Sequence, residues 1–261
     1  MFLTQHLLLL FLALLLWYAL LPGGKGVAAV PQRKPMLCLL LWCALLPGGE
    51  ERHWRFARGA WSPQEWLMVR SPRFPHQGEW LQEEESIANR VPPPVEDSLQ
   101  AYQERLEGPD SPRTYVSMVL AGAVCSRRAT IQATMAFEYR MAPLLVLAND
   151  LGEDSQGNPE YREHWEIVLY DQGINVWHHE MREGRPYWSL AAFLQAPFAA
   201  NQPHRLAADI ERTPKGHRLT IRCGGMVFGC LLPQLQNEYR VGLTACEGVN
   251  RFWDFSLKAD D

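Results

Sequence analysis

The sequence predicts an all-β domain built as a two-sheet antiparallel sandwich, and three observations support this fold class. From Thr114 nearly to the C-terminus, apolar and polar residues alternate with period two, as in strands that bury one face. Turn signals such as Asp171-Gln172-Gly173 and Gly224-Gly225 separate the alternating runs. Extended helical spacing of apolar residues does not occur in this region. Together these features are typical of a sandwich of about ten to twelve strands.

The first 49 residues are predicted to be a targeting region in front of a single domain over residues 50–261. The phrase LLLWYALLPGG at 14–24 recurs as LLLWCALLPGG at 39–49 and does not occur again in the chain. Because a soluble repeat architecture needs three or more units, the duplication does not indicate a repeat fold.

The two copies of the phrase favour different targeting roles. Residues 2–21 form an apolar run of about 30 Å as a helix, enough to cross a bilayer core. The second copy follows Arg33-Lys34 and starts at Met36, which is the layout of a signal peptide. We therefore expect an extracytoplasmic protein, either secreted or held at the membrane through this segment alone. Whether translation starts at Met1 or Met36 would decide between the two.

The domain itself is acidic. Residues 47–261 hold 22 Lys and Arg against 29 Asp and Glu, a balance of −7. A nucleic-acid-binding protein needs a basic face that replaces phosphate counterions, so this class is not expected. Four cysteines in the domain permit two disulfides with three possible pairings, and they are Cys125, Cys223, Cys230 and Cys246.

The elements follow in chain order. Residues 53–86 are rich in Trp and broken by Pro and Gly, which indicates short strands and turns. Residues 91–113 form a Pro-bounded insert with Leu99, Tyr102 and Leu106 at helical spacing, so a short surface helix is predicted near 95–107. Strands with alternating residues then run to the end. Their apolar members include Ile131, Ala133, Met135, Trp165, Ile167, Leu169, Leu206, Ala208, Ile210, Leu219, Ile221, Val241, Leu243, Trp253, Phe255 and Leu257.

The predicted order of the later strands and turns resembles that of a known group of protein domains. The stretch HRLAADIERTPKGHRLTIRCGG reads as strand, turn, strand and hairpin, and YRVGLTACEGVNRFWDFSL as strand, loop and closing strand. With HWEIVLYDQGINVWHHE as a central hairpin, residues 114–258 resemble concanavalin A-like lectin/glucanase domains, the jelly-roll group that includes laminin G-like modules. The resemblance implies a jelly-roll sandwich and a carbohydrate ligand.

A glucanase signature is not found. Jelly-roll glucanases carry their carboxylates as E-x-D-x-x-E on one strand, whereas Glu163 and Glu166 have an odd separation that places them on opposite faces. Motifs for Ser or Cys nucleophiles and for phosphate loops are also missing. We therefore favour a non-catalytic protein. An acid–base pair assembled from separate strands remains open, with candidates Glu166, Glu180, Glu247 and Asp254.

The predicted sugar site lies on one hairpin strand. Asn175, Trp177 and His179 share a face, and Trp188 follows on the next strand. An aromatic ring stacks on the C–H face of a sugar while polar groups fix its hydroxyls. The alternative is that Trp177 packs in the core, under Tyr187 and Trp188.

A second set of candidates lies on the loop between the last two strands. Glu247, Asn250 and Arg251 would offer an acceptor, an amide and a guanidinium donor to a sugar. The alternative is a turn in which Glu247 pairs with Arg251.

Calcium is the one cofactor that the sequence suggests. The oxygen-rich loop 149–161 offers Asp150, Asp154 and Asn158, although its spacing is not that of an EF-hand and a solvated turn is the alternative. A histidine metal site from His178 and His179 is disfavoured because the two point to opposite faces.

Three functions remain open at this stage. The first is an exported domain that binds a polysaccharide or oligosaccharide. The second is a glycoside hydrolase or polysaccharide lyase with a non-standard acid–base pair. The third is a structural or adhesion module that binds another protein.

Overall fold

The computed structural model describes residues 51–93, 95–107, 114–124, 126–138 and 142–260. The duplicated phrase and Cys125 lie outside the described residues, so the predictions made for them stay predictions. The same holds for the proposed boundary of the domain. Within the described ranges, no helix is both long and apolar enough to span a membrane.

The described chain forms fifteen strands and one α-helix. In chain order these are β1 (Glu51–Arg55), β2 (Trp66–Met68), β3 (Trp80–Gln82), β4 (Ile87–Asn89), α1 (Leu99–Glu107), β5 (Val116–Leu120), β6 (Arg128–Phe137), β7 (Pro143–Glu153), β8 (Pro159–Tyr170), β9 (Gly173–Arg182), β10 (Arg185–Gln195), β11 (His204–Thr213), β12 (Gly216–Cys223), β13 (Met226–Leu232), β14 (Arg240–Ala245) and β15 (Asn250–Asp260).

The strands make two antiparallel sheets, which confirms the predicted sandwich. One sheet has the order β13-β12-β11-β6-β15-β4-β3, with β1 also paired to β15. The other has the order β10-β9-β8-β7-β14-β5-β2. Strands that are distant in sequence, such as β6 and β15, pair over long stretches, so the sheets depend on non-local contacts.

The main core lies between the inner faces of the two sheets. Residues at alternate positions of β6, β8 and β14 are buried there, including Ile131, Ile167 and Leu243. This is the period-two pattern expected from the sequence. One prediction is corrected: Phe252 is fully buried, whereas Trp253 is only partly buried. A β-bulge in β15 at Trp253 inserts an extra residue, so Phe252 and Phe255 both reach the core.

Helix α1 is shorter than the predicted 95–107. The hydroxyl of Ser98 accepts a hydrogen bond from the Ala101 N–H at 3.2 Å, and its carbonyl accepts one from the Tyr102 N–H. Both contacts are those of an N-cap, so the helix begins at Leu99. Leu106 is buried and provides the apolar side of the helix.

A second apolar cluster covers the outer face of the seven-stranded sheet. It includes Val119, Leu144, Val146 and Val168, which alternate with core residues of the same strands. Segment 69–78 crosses this face and is held by backbone hydrogen bonds to β5, to its flank and to the start of β8. A covered outer face of this kind creates the walls of a cleft.

The cysteines do not support the predicted disulfides in the described chain. Cys223, Cys230 and Cys246 are free thiols, and two of them are buried. Burial raises the pKa of the Cys223 thiol to about 11, so this thiol stays protonated at neutral pH.

Candidate functional site

A cleft of about 240 Å³ opens on the outer face of the seven-stranded sheet. Strands β7 to β10, segment 69–78 and the turn after β14 supply its walls. The lining residues are Arg73, Ala142, Leu144, Glu166, Val168, Tyr170, Asn175, Trp177, His179, Trp188, Cys246 and Glu247. A larger depression of about 560 Å³ lies beside β1, but it is shallower, and Trp54, one of the two Trp residues that line it, is buried.

The register of β9 and β10 builds an aromatic wall. Directly opposite residues share a face, and Trp188 pairs with His179 while Phe193 pairs with Asn175. Trp188 is 42% exposed and Phe193 is 54% exposed. Trp177 lies between Asn175 and His179 on the same face of β9. It is half-buried and packs against the second apolar cluster. The wall therefore presents apolar surface to solvent on one side of the cleft.

Arg73 and Glu247 also line the cleft, next to this wall. The Arg73 guanidinium lies 4.9 Å from the centre of the Trp188 ring and 3.7 Å from a Glu247 carboxylate oxygen. Glu247 has a φ of 54°, a left-handed conformation that is uncommon for a residue with a side chain. Its N–H donates to the Thr114 hydroxyl at 3.0 Å, which helps to hold this conformation. The turn thus directs a carboxylate into the cleft.

At the floor of the cleft, Glu166 and His179 belong to a group in which one carboxylate lies between two imidazoles, and the second imidazole, His164, is not part of the cleft lining. Nε2 of His164 lies 3.2 Å from one oxygen of Glu166, and Nε2 of His179 lies 3.0 Å from the other. The donor atoms of the three residues lie within 4.8 Å of one another. Among the residues that the structure describes, this is the one group of three His, Cys, Asp or Glu side chains close enough to share a metal ion.

Burial and hydrogen bonding set the protonation of this group. Burial lowers the pKa of His164 to about 4, although Glu166 acts in the opposite direction. Burial alone would raise the pKa of Glu166, but the imidazoles of His179 and His164 outweigh it and keep this pKa well below its ordinary value. At neutral pH the floor therefore holds an ionised carboxylate beside a neutral His164.

Five residues that the sequence marked as sugar ligands line this single cleft. They are Asn175, Trp177, His179, Trp188 and Glu247. Their role as ligands stays a prediction.

Asn250 and Arg251, the other two predicted sugar ligands, do not line this cleft. Asn250 is fully buried and donates to the Cys246 carbonyl at 2.8 Å. Arg251 pairs with Glu83 and Glu138, so the expected pair with Glu247 does not form.

The four carboxylates considered for catalysis lie at three different places in the structure. Glu166 and Glu247 line the same cleft. Glu180 borders a small neighbouring cavity and pairs with Arg182. Asp254 belongs to the other sheet, where it accepts two hydrogen bonds from Thr134 at 2.9 Å. Of these four, Glu166 and Glu247 are therefore the two that could act as a pair in one site.

The proposed calcium loop is built around Asp154. One of its oxygens accepts backbone hydrogen bonds from Gln156 and Asn158, and the other pairs with Arg70. These contacts hold the pKa of Asp154 well below its ordinary value, mainly through the Asn158 N–H. Asp150 is exposed. Calcium binding at this loop stays a prediction.

Two residues of the site were missed from the sequence. Arg73 enters from a segment that is remote in sequence, and no local signal marks it. His164 could have been found, because His164 and Glu166 alternate on one strand and the tight turn after Tyr170 fixes the register of the next. Tyr170 pairs with Gly173, and six residues further along each strand His164 pairs with His179.

No protein-family model matches the chain, and no curated protein matches it. Several solved structures match the chain. The lectin UEA-II complexed with galactose is 6% identical, has a TM-score of 0.50, and the match covers 82% of this chain and 100% of that chain. The metal-free exoplasmic/lumenal domain of VIP36 is 13% identical, has a TM-score of 0.48, and the match covers 79% and 90%.

The carbohydrate-binding module CBM66 from Bacillus subtilis is 11% identical, with a TM-score of 0.46 and coverage of 75% and 96%. At these identities the likeness concerns the fold alone. The likeness to the lectin UEA-II confirms the predicted two-sheet jelly-roll sandwich fold.

Proposed function

We propose that this protein is a carbohydrate-binding domain whose ligand enters the cleft on the seven-stranded sheet. The observation that carries the proposal is the convergence of Trp177 and Trp188 with Asn175, Arg73 and Glu247 around one cleft. The domain is expected to act outside the cytoplasm because of its apolar N-terminal region, and N-terminal sequencing of the mature protein would test this.

The chemistry of the cleft suits a sugar. A pyranose has apolar C–H faces that stack on aromatic rings, and Trp188 offers an exposed ring. Its hydroxyls both donate and accept, and the amide of Asn175, the guanidinium of Arg73 and the carboxylate of Glu247 supply both kinds of partner. The volume is below the range of about 300–1,000 Å³ typical of drug-sized ligands, so we expect one sugar unit to enter.

Glycan-array binding followed by affinity electrophoresis tests the proposal. Trp177→Ala and Trp188→Ala are each expected to weaken binding by about tenfold or more, the equivalent of about 1.4 kcal/mol of stacking. Val227→Ala is the control, because Val227 is 63% exposed on the other sheet. Unchanged binding in both Trp variants would overturn the site. A single captured protein with no glycan signal would favour the adhesion hypothesis.

A hydrolase or lyase is the second candidate, since Glu166 and Glu247 line the same cleft. Release of reducing ends or unsaturated products from a polysaccharide panel would support it, provided that Glu247→Gln abolishes the release. The absence of turnover from acid to mildly alkaline pH would leave binding as the function.

A further inference from the structure

We propose that His164, Glu166 and His179 bind one divalent transition-metal ion of the zinc class at the floor of the cleft. The three side chains leave the same face of two neighbouring strands. His164 pairs directly with His179 across β8 and β9, and Glu166 follows His164 by two residues. This inference stands independently of a carbohydrate ligand.

The spacing of the donor atoms suits a shared ion. Zinc binds nitrogen and oxygen ligands at about 2.0–2.2 Å, which places neighbouring ligands of one ion about 3.0–3.5 Å apart. The two contacts of Glu166 with the imidazoles, at 3.2 and 3.0 Å, agree with this spacing.

The contact of His179 with Glu166 is close but poorly aligned. Its Nε2 lies 3.0 Å from the Glu166 carboxylate without the geometry of a well-formed hydrogen bond. The residue is only 7% exposed, so water does not readily take that place. A buried ring nitrogen that meets a carboxylate at this distance without a well-aligned hydrogen bond is the arrangement expected of two ligands of one cation.

The surroundings orient one imidazole and leave room for the other. The His164 ring stacks on Tyr161 with centroids 4.2 Å apart, and the Tyr161 hydroxyl lies 2.7 Å from the Ser117 hydroxyl. The His164 and His179 rings are also stacked, at 4.7 Å and 18°, so one of them must turn about its Cβ–Cγ bond to share an ion. A cavity of about 10 Å³ borders both rings, and we expect His179 to turn because His164 is also stacked on Tyr161.

The ligand set selects the class of metal. Two imidazoles and one carboxylate suit zinc and its neighbours, whereas calcium and magnesium prefer oxygen ligands alone. Three protein ligands also leave a coordination position open. Because Glu166 and His179 line the cleft, that position lies on the side from which a ligand would enter.

Calorimetric titration of the tag-free full chain with Zn²⁺ at pH 7, after treatment with EDTA, tests the site. One ion per chain is expected, with a Zn²⁺-dependent rise in Tm. Co²⁺ should give an intense visible absorption band that Ca²⁺ does not displace. His179→Gln and Glu166→Gln are each expected to lower zinc affinity more than about 100-fold, beyond the loss seen when outer-sphere partners are removed.

His178→Gln is the matched control. His178 is the neighbour of His179 on β9, but it points to the opposite face and pairs with Glu163 at 2.8 Å. Circular dichroism reports whether each variant folds, and the wild-type titration stands even if the buried His164 tolerates no change. The proposal is overturned if the wild-type chain binds no Zn²⁺, if folded His179→Gln and Glu166→Gln retain its affinity, or if folded His178→Gln loses it equally.

Discussion

Asn89 joins strand β4 to the turn that carries Glu247, and its replacement by Ala should strongly destabilise the protein. The side-chain amide donates to the carbonyls of Thr114 at 2.9 Å and Gly248 at 2.6 Å. Its oxygen accepts the N–H of Asn250 at 2.8 Å. Asn89 is 2% exposed, so water does not replace these partners when the amide is removed.

The magnitude follows from the three lost hydrogen bonds. Each buried bond of this kind stabilises the native state by about 1–1.5 kcal/mol, because its partners are left unsatisfied when it is removed. Asn89→Ala should therefore reduce the free energy of unfolding by about 3–4.5 kcal/mol. It should also weaken ligand binding, since the turn that it releases positions Glu247 at the cleft.

Asn149 offers a matched control in the same domain. Its amide also bridges two backbone groups, the Gln234 carbonyl at 2.8 Å and the Gln236 N–H at 3.0 Å, but it does not line the cleft. Two bonds instead of three predict a loss of about 2–3 kcal/mol for Asn149→Ala, with ligand binding unchanged.

Urea unfolding at pH 7, followed by Trp fluorescence and checked for equal m-values, measures both losses. A loss below about 1 kcal/mol for Asn89→Ala, or a larger loss for Asn149→Ala than for Asn89→Ala, would refute the reasoning.

Two further predictions concern strand β14 and the loop 149–161, whose Asp154 pairs with Arg70 of segment 69–78. Gly242→Ala would place a Cβ 2.0 Å from the Met118 carbonyl oxygen of the adjacent strand, so we expect a loss of about 3 kcal/mol or more. Gly122→Ala, where a Cβ meets nothing within 4 Å, should change stability by less than about 0.5 kcal/mol, and equal values in urea unfolding would contradict the argument. Asp154→Asn should destabilise the protein at pH 7. Because the folded pKa of Asp154 is depressed, its contribution is present above the ordinary pKa near 4 and is lost as the pH falls below it. The difference in urea midpoint between wild type and variant should be constant above about pH 5 and should shrink steadily as the pH falls below about 4, and a difference that stays constant down to about pH 2 would exclude the ionic contribution.

Period-two patterning predicted the strands because each has one face in the core. Ile131 and Ala133 could be assigned in this way, since a shift by one residue would move every apolar side chain of the strand to solvent. The pattern failed at Trp253, where a bulge adds a residue that alternation does not anticipate. It also placed the helix start too early, because the cap at Ser98 decides the boundary and the apolar spacing does not.

The site was predictable only where it lies on one strand or one hairpin. Asn175, Trp177 and His179 follow from alternation along β9, and Trp188 from the hairpin. Asn250 and Arg251 were predicted as sugar ligands because loops often carry function. The Asn250 amide instead donates to carbonyls of its own turn, and Arg251 pairs with carboxylates from remote segments. Polar residues on a loop can serve the turn itself, and only tertiary contacts distinguish the two cases.

The cleft and the proposed metal group share Glu166 and His179, yet the two proposals can be separated through residues that belong to only one of them. Trp177 lines the cleft but offers no metal ligand, so its replacement should weaken glycan binding and leave zinc affinity intact. His164 belongs to the metal group but does not line the cleft. If glycan affinity falls together with zinc affinity in a folded His164→Gln variant, the open coordination position takes part in sugar binding. If glycan affinity is unchanged, the ion stabilises the floor of the cleft and the aromatic wall alone holds the sugar.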